Sequence, residues 1–144
     1  MDADQKFLRI NKNSTALMDL HLGATAVVNA EEGDVVVGIS FSGETHEVAK
    51  ILEIASETPA TTISLTRYGN SLVSSLADIC LYTSPNVEAT FRSGATSSRL
   101  AQLHVIDILF MAVATSSYEQ TINYLDTTRA AIEGLHKKVV KRKN

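Results

Sequence analysis

"DVVVGISFSGETHEVAKIL", Asp34 to Leu52, decides the fold. It opens with "DVVVGIS", a short apolar run rich in β-branched residues, as a strand buried on both faces would have. From Thr45 onward, Val48, Ile51 and Leu52, with Ala55 just beyond, recur at helical spacing and share one face. Between strand and helix stand Ser40, Ser42, Gly43 and Thr45. A buried strand that hands over directly to an amphipathic helix is half of a βαβ unit.

The text downstream repeats the alternation. The helical pattern runs to about Glu57 and stops before Pro59, because the residue preceding a proline is pushed out of the α region. "ATTISLT", Ala60 to Thr66, predicts the next strand, "RYGN" a turn, and Ser71 the N-cap of a short helix reaching Leu76. "DICLYT", Asp78 to Thr83, predicts a third strand. Strands alternating with helices give a mainly parallel sheet covered on both faces, an α/β/α sandwich of three layers. Upstream, residues 1 to 10 have the pattern of a helix, "NSTALM" (Asn13 to Met18) that of a short edge strand, and Met18 to Ala30 that of another helix. Downstream of Pro85, Ser93 to Ser117 and the stretch from Glu119 to Val140 predict two long helices, apolar over wide faces. That is more surface than one sheet face needs, so a homodimer or larger homo-oligomer is expected.

At 144 residues, with 44% hydrophobic and 20% charged residues, the chain has the composition of one globular domain. A net charge of −3 excludes an obvious nucleic-acid face. The basic run from His136 to Asn144 is expected to be a solvated tail. Cys80, the single cysteine, sits in an apolar stretch as a structural thiol and allows no disulfide within the chain. His21, His46, His104 and His136 show no metal-ligand spacing, so neither a metal nor a cofactor is expected. With no signal-peptide pattern, and no run judged long and apolar enough to span a bilayer, the sequence predicts a soluble cytoplasmic protein.

The hydroxyl cluster admits two explanations. Ser42 or Thr45 caps the helix. Alternatively, three hydroxyls and a glycine at a strand's carboxyl end, beside the unpaired N–H groups of a helix start, form a cradle for an anion. No Gly-Lys-Ser/Thr follows, which argues against a nucleoside triphosphate, and no G-x-G-x-x-G, which argues against a dinucleotide.

"SFSGET" resembles the S-x-S-G-x-T signature of the sugar isomerase (SIS) domain. "FRSGATSSRLAQLHVIDILF", Phe91 to Phe110, and "ISLTRYGNSLVSSLADICLYT" are similar to the SIS domains of RpiR-type bacterial transcriptional regulators. The resemblance implies the SIS fold over residues 1 to 144, a single domain lacking its first strand and the regulator's helix-turn-helix module. It implies that Ser40, Ser42 and Thr45 hold the phosphate of a phosphosugar, with Gly43 and Glu44 shaping the loop. Glu88 lies where related isomerases and lyases place an acid/base glutamate; the reading preferred for it is a solvated loop residue or one that bonds a sugar hydroxyl. Ser93 is a helix N-cap or a ligand contact. The function implied is a sugar-phosphate sensor without catalytic residues, acting on DNA only through the missing module. The alternative is a phosphosugar isomerase or lyase with Glu88 as base.

Overall fold

The structure, a computed structural model, describes residues 2–84 and 96–141, with the side chains of 96 and 136–141 outside that description. The chain forms two compact units, Leu17–Val105 and a second built from Met1–Ala16 with Ile106–Asn144.

The first unit is organised by three parallel strands, β1 (Val35–Ile39), β2 (Thr61–Arg67) and β3 (Ile79–Thr83), in the order β1-β2-β3. Gly38 pairs with Ser64 and Ser64 with Cys80, so these three residues line up across one face. Helix α3 (His46–Ser56) packs on that face, and α2 (Leu20–Val27) packs on α3. Leu52 and Ala55 of α3 are completely buried, and Ala49, Leu52 and Val73 form a core flanked by Val36, Val48, Leu76 and Ala77. The close seat of α3 depends on Gly38, where a Cβ would lie 2.8 Å from Leu52 Cδ1. Residues 62 to 66 of β2 are all buried, as befits the middle strand. Ser64 Oγ is buried there without a hydrogen-bond partner among the described residues.

The three strands predicted from Asp34 onward and α3 stand within a residue or two of their expected bounds. The short helix after Ser71 is a single 3-10 turn, Ser74–Leu76. It is closed by reciprocal bonds: Ser74 N–H donates to Ser71 Oγ (3.2 Å) and Ser71 N–H to Ser74 Oγ (3.0 Å). Asp78 then ties β3 to β2, accepting from Thr62 N–H (2.8 Å) and Thr62 Oγ1 (2.7 Å). Cys80 is half-buried and its thiol donates to the Ser74 carbonyl at 3.3 Å, a structural role.

Two expectations need correction. Asn13 to Met18 is not a strand. Only Thr15 in it is β-branched, and the preceding Asn11 turns the backbone with φ of 58°. Helix α5 (Tyr118–Lys141) takes in part of the basic run. Within helix α4 (Thr96–Ser116), Ser97–Ser116 is long and apolar enough, by length and composition alone, to cross a membrane. Interspersed Ser, Thr, His and Asp107 hide that average from a search for an unbroken apolar run.

In the second unit, α1 (Asp2–Arg9) lies against α5. Phe7 meets Phe110 edge-on at 5.7 Å, and Lys6 pairs with both Asp2 and Asp107.

Candidate functional site

Five predicted site residues, Ser40, Ser42, Gly43, Glu44 and Thr45, form one loop at the carboxyl end of β1, leading into α3. Ser40 is buried, and its N–H continues the sheet by donating to the Leu65 carbonyl at 3.0 Å. Gly43 turns the chain at φ of 77°, a conformation that favours glycine. Its N–H is taken by Ser40 Oγ at 3.1 Å. A Cβ here would also sit 2.2 Å from Ser71 Oγ, so the next loop of the sheet edge closes directly over this one. Two further bonds join the loops: Val73 N–H to the Gly43 carbonyl (2.9 Å) and Leu72 N–H to Glu44 Oε1 (3.4 Å).

The hydroxyls are arranged differently from a plain cap. Ser40 Oγ and Thr45 Oγ1 bond each other at 2.7 Å. Two hydroxyls sharing one bond use one proton, so one proton of the pair has no acceptor among the described residues. Ser42 is exposed and its Oγ accepts from Glu44 N–H at 3.2 Å, a local turn bond that leaves its own proton without an acceptor among the described residues. Thr45 occupies the N-cap position of α3 without a side-chain capping bond. Thus neither Ser42 nor Thr45 caps the helix, whose first turn carries the partial positive charge of a helix start. Glu88 and Ser93 lie outside the described residues.

The neighbouring strand end closes the floor. Arg67 N–H donates to the Phe41 carbonyl at 2.9 Å and Tyr68 N–H to the Thr83 carbonyl at 2.9 Å, clamping the end of β2 between those of β1 and β3. Tyr68 is 69% exposed and stands edge-on to Tyr82, with ring centres 5.4 Å apart. The sequence reading gives Ser71 only a capping role and Arg67 none. Their placement against the Ser40–Thr45 loop is a tertiary fact without a local signal. Among the described residues no group of His, Cys, Asp and Glu is arranged to hold a metal ion.

A parallel sheet whose carboxyl edge carries a hydroxyl-rich loop at a helix start without a side-chain cap has the architecture of an open α/β domain, the class in which ligands bind beyond the strands' carboxyl ends. Residues 1–112 match the SIS domain model, and the chain belongs to that family. It is 52% identical over 134 residues to the uncharacterized HTH-type transcriptional regulator YbbH of Bacillus subtilis (strain 168), covering 93% of this chain and 47% of that protein. It is 32% identical over 132 residues to the HTH-type transcriptional regulator RpiR of Escherichia coli (strain K12), covering 92% and 44%. The chain therefore spans about half the length of the curated relatives it matches. Among solved structures it is similar to the Vibrio vulnificus NanR protein complexed with ManNAc-6P, with a TM-score of 0.82 and 26% identity, covering 93% of this chain and 50% of that one.

Proposed function

We propose that this chain is the phosphosugar-binding effector domain of an RpiR-type transcriptional regulator and works in the cytoplasm as a sensor without catalysis of its own. The observation that carries the reading is the pair of unspent hydroxyl protons, from Ser42 and from the Ser40–Thr45 pair, beside the uncapped start of α3. A phosphate placed there takes charge-assisted bonds from both, with Gly43 and Glu44 holding the loop's shape. Glu88 and Ser93 are part of the same proposal as contacts to the sugar. The ligand-bound relative and the regulator names of the sequence relatives support it.

The sugar phosphate acts by binding one arrangement of the full-length regulator better than another. DNA contact belongs to a helix-turn-helix module of that longer protein. A phosphate cradle binds ground state and transition state alike, which gives affinity without turnover. The test is calorimetry with N-acetylmannosamine 6-phosphate, glucosamine 6-phosphate and glucose 6-phosphate. Ser42→Ala is expected to lose about 1.5–3 kcal/mol of binding to whichever ligand the wild type takes. Ser75→Ala, in the next loop, keeps full affinity. Equal binding by Ser42→Ala removes the cradle from the ligand.

The proposal includes self-association. Leu100, Ile108 and Met111 of α4 and Ile132 and Leu135 of α5 are exposed large apolar side chains, which a second copy would cover. Light scattering is expected to give a dimer or larger, and a mass of 15.6 kDa at micromolar concentration refutes this part.

A further inference from the structure

Residues 17 to 84 contain nine Asp and Glu side chains against two basic ones other than histidine, Lys50 and Arg67. An anion therefore approaches the sheet against a negative field, and neutral hydroxyls with a helix start supply only partial positive charge. Lys50 does not relieve this, because its ammonium is paired with Glu53 at 2.6 Å. Arg67 is different. Among the described residues it makes no ion pair, its side chain is exposed, and it is the last residue of β2, at the sheet's carboxyl edge.

Its backbone is also tied into that edge. Arg67 N–H is bonded to the Phe41 carbonyl inside the Ser40–Thr45 loop, and its own carbonyl accepts from Thr66 Oγ1 at 3.0 Å. The backbone of Arg67 is thus fixed to that of Phe41, which lies between Ser40 and Ser42. Guanidinium is permanently charged, is less strongly hydrated than ammonium, and forms paired bonds to phosphate oxygens.

We infer that Arg67 is a ligand-binding residue that supplies the positive charge the hydroxyl cradle lacks, and so selects a phosphorylated sugar over the free one. The inference rests on the phosphosugar reading above and adds a residue and a selectivity to it. An arginine kept only for solubility would affect neither affinity nor its salt dependence.

The experiment uses the full 144-residue chain and the same three hexose 6-phosphates, with glucose as the uncharged probe. Arg67→Gln is expected to weaken sugar-phosphate binding about tenfold or more, to flatten its dependence on salt, and to leave the melting temperature of the unliganded protein unchanged. Arg67→Lys restores part of the affinity, because charge returns without the paired geometry. Tight binding by wild type with equal affinity and salt dependence in Arg67→Gln overturns the role of Arg67 and leaves the phosphosugar reading standing. Loss of affinity with unchanged salt dependence and no rescue by lysine also overturns it. Failure of the wild type to bind any of the three phosphates overturns both.

Discussion

Two hydroxyl-rich turns lie side by side at the carboxyl edge of one sheet, and they spend their hydroxyls differently. In the second, Ser71 and Ser74 bond each other's backbone and side chain, and Ser75 Oγ donates to the Leu72 carbonyl at 2.8 Å. Its bonding capacity is consumed within the turn. In the first, Ser42 and the Ser40–Thr45 pair each keep a donor, and the helix that follows has no side-chain cap. Richness in serine and threonine is therefore a poor guide to an anion site. What separates the two turns is the number of donors left over after the fold has been satisfied.

The comparison breaks most visibly at Gly43. A side chain there meets both a positive φ and Ser71 Oγ, so Gly43→Ala is expected to cost about 3 kcal/mol of folding stability. Adding Ser71→Gly removes the collision and leaves the backbone strain, so the double variant recovers part of the loss. Denaturant unfolding measures both. A double variant no more stable than Gly43→Ala would mean that the turns do not press on each other. The contrast between Ser42→Ala and Ser75→Ala in ligand affinity asks the same question of the donors.

A smaller effect sharpens the account of the second turn, whose far end is tied down by Asp78. The Thr62 N–H, then the Thr62 hydroxyl, hold this carboxyl below its ordinary value of 3.8. A carboxylate with a lowered folded pKa stabilises the protein above its ordinary pKa, and that contribution is lost as pH falls through the folded value. Stability of the wild type is expected to fall more steeply below pH 3.8 than that of Asp78→Asn. Parallel curves from urea unfolding across the acid range would detach Asp78 from Thr62.

Much of the first unit was legible in the text. Consecutive valines before Gly38, the isoleucine and leucine of β2 and the break at Pro59 mark element ends by local sterics, and local sterics can be read from sequence. The loop of the candidate site was legible for the same reason, since its residues are contiguous. The covering of Gly43 by Ser71 was not, because it joins two turns through packing. Arg67 was passed over because its interest arises only once Lys50 is seen to be paired. The strand expected at Asn13 to Met18 failed where the local signal was weakest. The membrane-length stretch of α4 escaped because its apolar character is spread among small polar residues.

The contact between Gly43 and Ser71 also limits which sequences this fold can carry. A side chain larger than serine at position 71 would fill, from the other side, the space that a Cβ at position 43 is denied. The two positions restrict each other although no covalent or hydrogen bond joins their side chains. Among variants that keep this sheet edge, bulk gained at one turn must be given up at the other, so the residue at position 71 carries information about the shape of the turn at position 43.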